Sequence, residues 1–357
     1  MSTQASHRYD RQAILPEIGE AGQARIREAS VLIVGCGALG CAAADLLARA
    51  GIGRIRLVDR DIVELSNLQR QTLFCESDAE SATPKAVAAA HRLNAINSDV
   101  AIAPVCDDFR ASNAKSLAEN CDLLIDGLDN FDGRYILNDL SVSSGIPYLY
   151  AGVIGTVGMT MTVLPRCTKP AGLVQWQDAD ATACLRCIFP EPPNTGVMPT
   201  CDTAGVLGPA VATVSGWQAS AALALLCGNG PEKPIGLHTM DLWRGTHQRI
   251  NTGPPTDECP CCIQRQFSWL SGERGSATET ICGQEVVQIF PQRDAVPLAT
   301  LRQRLSELGH ICGDQHALRF IPNADDVSMT IFADGRALIG VGEPAAARSL
   351  YDRYIGT

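Results

Sequence analysis

The apolar positions change period along the chain, and each change marks an element. Val31, Leu32, Ile33 and Val34 form a short run of mostly β-branched residues, which predicts a buried strand. Small residues over 38–50 predict a helix, and 55–58 predict a second strand ending at Asp59. Further on, 100–105 and 121–126 read as strands, and 86–93, 113–119 and 131–140 read as helices. Residues 146–164 read as strands around Gly152, Gly155 and Gly158, a sheet edge or channel for an extended peptide. The uncharged run 204–227 is interrupted by Gly205, Gly208, Pro209, Gly216 and Gln218. It therefore reads as a buried helix pair or a loop and helix rather than a membrane span. After residue 262 the pattern turns polar (268–280), then resumes as strand 285–290, helix 298–308, strand 317–321, a hairpin of 328–332 with 337–341 turning on Asp334-Gly335, and helix 344–354. The predicted organisation is a main domain over 1–262, a linker over 263–280 and a small α+β domain over 281–357.

The first strand is followed by Gly35, Gly37 and Gly40 at G-x-G-x-x-G spacing, and Asp59 lies about 20 residues downstream. Such a βαβ unit brings backbone N–H groups to phosphates at a helix N-terminus, with an acid for ribose hydroxyls. It predicts a nucleotide site without distinguishing hydride transfer from adenylation. Asp61, Asn67, Arg70 and Gln71 follow the second strand, where open α/β sheets bind ligands. Pro84 fits the first helical position, and Lys85 stands in that helix's first turn, where the macrodipole disfavours a cation, and so suggests an anionic ligand. Asp129 follows the strand 121–126. It reads either as a Mg²⁺ ligand or, with Asn130, as the N-cap of the next helix. Arg11, on a polar N-terminal arm, reads alone as a solvated charge.

The chain has 357 residues, 46% of them hydrophobic, enough for a sizeable core. Its net charge of −10 argues against a dedicated nucleic-acid binder. The start, MSTQASHRYDRQ, has no apolar signal core, so a cytoplasmic setting with reduced thiols is expected for the fifteen cysteines. Cys36, Cys41 and Cys227 read as small buried thiols. Cys184/Cys187 and Cys259/Cys262 form two C-x-x-C pairs able to close a tetrahedral zinc site; a disulfide pair or a redox C-x-x-C are the other readings. Cys261 is an alternative ligand to Cys262.

Together, RYDRQ (8–12), GCGALG (35–40), VDRDIVELSNLQRQ (58–71), the Lys85 helix and DGLDN (126–130) resemble the ThiF/MoeB/HesA family, relatives of the ubiquitin-activating enzymes. The resemblance covers about residues 7–262; Ala38 stands where the family usually has a second consecutive Gly. It implies a Rossmann-like, mostly parallel sheet with helices on both faces and a zinc-tied C-terminal lobe. It implies an adenylyltransferase that uses ATP and Mg²⁺ to activate the C-terminal Gly-Gly carboxylate of a small ubiquitin-fold sulfur carrier, in thiamine, molybdopterin or related biosynthesis. By the same resemblance Asp59 holds the ribose; Asn67, Arg70 and Lys85 contact phosphates; Asp129 binds Mg²⁺; Arg11 reaches in from the other protomer of a homodimer; and a structural zinc sits on Cys184, Cys187, Cys259 and Cys262. The segment 200–209 resembles the family's C-x-x-A-G-V-x-x-P. Its Cys201 is either a covalent acceptor for the carrier's C-terminus or a packed thiol before a buried helix. No Walker A loop is present. A catalytically silent scaffold of the same fold, or a dinucleotide-dependent oxidoreductase, are the competing functions. No nucleic-acid or membrane partner is expected, and the small C-terminal domain reads as a partner- or dimer-contact module.

Overall fold

The computed structural model describes residues 8–166, 173–174, 176–177, 180–192, 204–228, 236–274, 286–289, 291, 295–325 and 327–355. Two sheets organise them. The larger has eight strands: β1 (Ser30–Val34), β2 (Arg54–Val58), β3 (Ala101–Val105), β4 (Leu123–Asp126), β5 (Tyr148–Ile154), β6 (Val157–Val163), β7 (Leu237–Asp241) and β8 (Thr246–Ile250). Their spatial order is β3-β2-β1-β4-β5-β6-β7-β8, parallel from β3 to β5 and antiparallel from β5 to β8. The chain thus leaves β1 toward β2 on one side and returns at β4 on the other. That reversal opens a crevice at the carboxyl end of β1, where doubly wound sheets bind ligands.

Both faces are covered. Helices Ala38–Ala50, Lys85–Ile96 and Gly208–Cys227 bury one face, with Ile33, Leu47, Ile55, Leu57 and Leu93 in its core. Helices Ala111–Leu117 and Phe131–Ser144 bury the other against Leu32, Leu124, Tyr135 and Leu140. Strands β1 and β4 read as near-continuous apolar runs because the centre of the parallel part faces no water on either side. Gly208–Cys227 is one helix, with the length and composition to cross a membrane. It lies instead along helix Ala38–Ala50 and strands β5 and β6. Its Gln218 is wholly buried and donates to the carbonyls of Asp126 and Leu149, which accounts for a polar residue inside an apolar run.

Two expectations shift. Strands β5 and β6 form a hairpin inside the large sheet rather than an edge; β3 and β8 are the edges. Pro84 is the cap residue before helix Lys85–Ile96, not its first helical residue. Helix Gly19–Glu28, strands β7 and β8 and strand Gly309–Gly313 are among the elements that the sequence reading did not predict. Helix Gly19–Glu28 has Ile26 as its one fully buried large apolar residue, and Gly22 permits a close approach to Cys227. Strand β10 (Gly309–Gly313) belongs to the second sheet.

That second sheet orders β10, β11 (Ala317–Pro322), β12 (Met329–Phe332), β13 (Ala337–Ile339) and β9 (Val287–Ile289), all antiparallel. Helices Leu298–Leu305 and Pro344–Tyr354 cover its core of Leu301, Leu305, Phe320, Ile331 and Tyr351. The predicted hairpin turns at Asp334-Gly335, with Gly335 at φ +83°. Within the polar stretch after residue 262, Trp269 and Leu270 are buried against the large unit: Trp269 stacks on Tyr135 at 4.9 Å. Residues 275–280 and Cys282 lie outside the described residues.

Candidate nucleotide site and cysteine cluster

The glycines divide their work. Gly35 sits at φ +90°, and a Cβ there would lie 2.5 Å from the carbonyl oxygen of Gly127. A Cβ on Gly40 would lie 1.8 Å from the carbonyl oxygen of Gly35. Those two let β1, its helix and the β4 loop close on each other. Gly37, at φ −76°, has only one atom within 4 Å of such a Cβ, at 3.7 Å, so it leaves open room in front of helix Ala38–Ala50. No side chain caps that helix, and the N–H groups of its first turn face the crevice ends of β1 and β4.

Asp59, at the end of β2, is half-buried. It accepts hydrogen bonds from Cys36 N (2.6 Å) and Asp61 N (2.7 Å), tying the β2 end to the glycine loop. Burial raises its carboxyl from 3.8 to about 6, although Lys85 pulls the other way. Lys85 Nζ lies 3.1 Å from Asp61 Oδ2. Burial would raise the Asp61 carboxyl and lower the Lys85 ammonium. The attraction within the pair wins: Asp61 is held below its ordinary value and Lys85 above its own. Asp59 and Asp129 also stabilise the Lys85 charge through space. The backbone enforces this: Lys85 N donates to Asp61 O and Val63 N to Thr83 O, each at 2.9 Å. Beneath the loop, burial and Asp59 push the Cys36 thiol well above its ordinary value, and burial raises Cys41 to about 12; both are inert packing thiols.

The next segment forms a 3₁₀ turn, Leu65–Asn67. Asn67 is buried and uses its carbonyl to accept from Glu64 N (3.1 Å). Arg70 is half-buried and donates to Ser66 O (3.0 Å); Gln71 is buried with no partner on Oε1.

The β4 loop settles the Asp129/Asn130 alternative. Asn130 is the cap: its side chain accepts from Gly133 N at 2.9 Å. Asp129 is exposed, with one long hydrogen bond from Asn130 Nδ2 (3.3 Å). A network that the sequence reading passed over holds this loop from below. Buried Asp126 accepts from Tyr148 Oη (2.7 Å) and Leu128 N (2.9 Å) and lies 3.3 Å from Arg134 Nε. Arg134 donates to the carbonyls of Leu128 (2.7 Å) and Ala151 (3.1 Å) and lies over the Tyr150 ring. Burial raises Asp126, partly offset by Arg134. The available signal was Arg134 itself, a cation one turn after the cap in a helix that is otherwise buried.

Arg11 lies apart. It is exposed on the short helix Asp10–Ala13. Its neighbour Gln12 donates to Ala50 O (3.0 Å), and Tyr9 Oη accepts from Asn97 Nδ2 (2.8 Å). Ala50 and Asn97 mark the C-terminal ends of helices Ala38–Ala50 and Lys85–Ile96. The first of these helices is about 20 Å long, so Arg11 sits at the far end of the sheet from its own glycine loop.

The cysteines close a cage. The Sγ atoms of Cys184, Cys187, Cys259 and Cys262 all lie within 4.8 Å of one another. Cys184–Cys259, Cys184–Cys187 and Cys187–Cys262 are 3.8, 3.9 and 3.7 Å apart. Four thiolates about 2.3 Å from one zinc ion would sit about 3.8 Å apart, so the donor set fits zinc in both chemistry and size. These separations are far beyond a disulfide bond. Cys261 borders the cage without joining the four: its Sγ accepts from Asn138 Nδ2 at 3.4 Å and also interacts with Cys184 and Asp139. Asn138 also accepts from Leu185 N (2.8 Å), and Asp139 lies 3.4 Å from Arg186 and accepts from Trp269 N (3.0 Å). The helix that begins at the Asp129 loop therefore anchors both knuckles. Cys201 lies outside the described residues.

Fold and site together define a Rossmann-like nucleotide-binding protein with a second, cysteine-closed centre. The ThiF family profile matches residues 9–261, and the chain belongs to this family. It is 38% identical over 353 residues to the sulfur carrier protein ThiS adenylyltransferase of Bacillus subtilis, covering 98% of this chain and 99% of that protein. It is 36% identical over 257 residues to a sulfur carrier protein adenylyltransferase of Thermus thermophilus, 71% of this chain and 90% of that one. Among solved structures, E. coli MccB superposes with a TM-score of 0.59 at 20% identity, over 74% of this chain and 73% of its own, a likeness of fold alone. The Bacillus match runs through the small second sheet as well as the ThiF region.

Proposed function

We propose that this chain is an ATP-dependent adenylyltransferase that activates the C-terminal Gly-Gly carboxylate of a small ubiquitin-like sulfur carrier of the ThiS kind. The observation that carries the reading is the end-to-end similarity to the Bacillus adenylyltransferase, in a chain whose acids and lysine converge at the sheet's reversal point. A carboxylate oxygen of the carrier attacks the α-phosphorus. The bond from that phosphorus to the bridging oxygen of pyrophosphate breaks, and pyrophosphate leaves with the electron pair. Nothing in this step asks the protein for a covalent nucleophile; it asks for positioned positive charge.

Lys85 serves as a fixed cation rather than a proton donor, because Asp61 at 3.1 Å holds it protonated. Arg70 offers a planar fork to phosphate oxygens, Asn67 and Gln71 line the same turn, Gly35, Gly37 and Gly40 admit the phosphates, and Asp59 receives the ribose. Asp129 would hold Mg²⁺, which neutralises charge on the departing oxygens; its carboxylate is exposed and only weakly engaged. Cys184, Cys187, Cys259 and Cys262 would hold a structural zinc that ties residues 184–187 to residues 259–262. Arg11 completes the site of a second copy in a homodimer, since it stands a helix length from its own. Cys201 is the acceptor if the carrier's C-terminus forms an acyl or acyl-disulfide bond. The setting is the cytoplasm.

Pyrophosphate exchange into ATP tests the reading, with Mg²⁺ and a panel of Gly-Gly carriers. Exchange that depends on one carrier is the expected result. Zinc-loaded protein that binds ATP but exchanges with none of them would overturn it.

A further inference from the structure

The small second sheet is docked on the segment that carries the nucleotide-site acids. Ile62 and Ala82 pack with Ala317 and Phe332, with Cys312 and Leu338 at the margin. Ile62 is also bridged to Pro84, one residue before Lys85. Residues 60–63 are therefore held between the start of the Lys85 helix and the small sheet.

Arg336 lies in this contact and is fully buried. Its guanidinium lies 3.8 Å over the Phe332 ring, and Nη1 donates to Gln288 Oε1 at 3.1 Å, both within the small sheet. Nη2 crosses to the other unit and donates to the carbonyl oxygen of Arg60 at 3.1 Å. Arg60 in turn lies 3.2 Å from Asp108 Oδ1 and 3.9 Å from Asp61 Oδ1. The ion-pair partner of Arg336 is on its own turn, with Asp334 Oδ2 3.8 Å from Nε, and Asp108, Asp61 and Asp107 across the contact also stabilise its charge. A buried, singly charged side chain is a poor way to fill a hydrophobic contact; an apolar residue of the same volume would serve stability at least as well. One arm of the guanidinium, Nη2, is engaged instead on the Arg60 carbonyl between Asp59 and Asp61.

We infer that Arg336 is a positioning residue of the nucleotide site. By fixing the Arg60 carbonyl it sets the path of the chain from Asp59 to Asp61, the acid that holds Lys85. The small sheet is thereby a working part of ATP binding rather than a separate contact module. This rests on the ATP reading of the site.

ATP and carrier dependence of the exchange reaction separate the possibilities. Arg336→Gln is expected to raise KM for ATP about tenfold, the scale of a lost charged hydrogen bond, with kcat and KM for the carrier within about twofold. Arg336→Lys, which keeps the charge and one donor, recovers part of that loss. Leu305→Ala hollows the fully buried core of the small sheet away from Arg60 and leaves KM for ATP unchanged. An equal rise in Leu305→Ala, or a shift in carrier KM instead, overturns the inference. If Arg336→Gln does not fold, hydrogen exchange of the wild-type chain decides. Coupling is reciprocal, so ATP must slow amide exchange in β12 and β13, about threefold or more at Phe332. Unchanged rates there, with residues 59–63 protected, overturn it. A wild-type chain that binds no ATP overturns the adenylation reading and this inference together; one that binds ATP with a normal Arg336→Gln overturns this inference alone.

Discussion

At the glycine loop Lys85 is buried, but Asp59, Asp61, Arg70 and Asp129 reach solvent, and several groups have only part of their hydrogen-bonding capacity engaged. Asp129 is exposed, Arg70 is half-buried, and Gln71 keeps a buried oxygen without a partner. At the cysteine cluster the reverse holds: three of the four sulfurs belong to buried residues, and the four are packed against one another. The first arrangement leaves room and charge for a ligand that comes and goes. The second is closed, as structural zinc sites are. Helix Phe131–Ser144 links them, carrying the Asp129 loop at its N-terminus and Asn138 and Asp139 against the knuckles. The difference between an exchangeable site and a permanent one is thus a difference in how completely the protein satisfies its own polar groups.

That contrast predicts separable failures. Asp129→Ala should lower pyrophosphate exchange by about 10²–10³-fold while the melting temperature stays within a degree or two, because an exposed carboxylate with one long hydrogen bond contributes little to folding. A melting temperature that falls with the activity would erase the distinction. Cys187→Ser, or removal of metal by a chelator, should act the other way round. It should lower the melting temperature by roughly 10 °C or more, since structural zinc contributes folding free energy directly. Metal analysis finding no zinc, with an unchanged melting curve, would show the cage to be no more than packing.

Arg11 sharpens the comparison by belonging to neither site of its own chain. Arg11→Ala and Asp129→Ala should each be inactive alone. In a one-to-one mixture of dissociated and reassociated subunits, about a quarter of the shared sites regain both residues, and activity should return to that level. No recovery would remove Arg11 from a partner's site.

The smallest effect expected concerns pH. Asp59 has its folded carboxyl raised from 3.8 to about 6, so its neutral form favours the folded state and that contribution is lost as pH rises from about 4 to 6. The ribose contact proposed for Asp59 needs the opposite, ionised form. ATP affinity should therefore fall severalfold as pH drops through about 6, and Asp59→Asn should flatten the profile. An unaltered profile in that variant would assign the pH dependence to another group.

Much of this was legible along the chain because the signals are local. The strand before the glycines, the helix Ala38–Ala50, the hairpin at Asp334-Gly335 and the final helix depend on periodicity and turn chemistry over a few residues. Helix Gly19–Glu28 was not legible: with two glycines and one fully buried large apolar residue, it is shaped by its packing on helix Gly208–Cys227. Strand β10 was hidden likewise, since its Gly-flanked GHICG pairs only once β11 lies beside it.

The same division runs through the chemistry. The sequence by itself determined which groups were available: a glycine loop, an acid after β2, a lysine at a helix start, two cysteine pairs. Those are properties of residue type and short spacing. Only the tertiary structure decided that Asn130 rather than Asp129 caps a helix, and that Cys261 turns to Asn138 while its neighbour joins the cage. It also decided that Arg11 stands a helix length from its own site and that Arg336 crosses 276 positions to the Arg60 carbonyl. Each of these depends on where a distant stretch of chain passes, which backbone hydrogen bonding and core packing set together and no short spacing encodes.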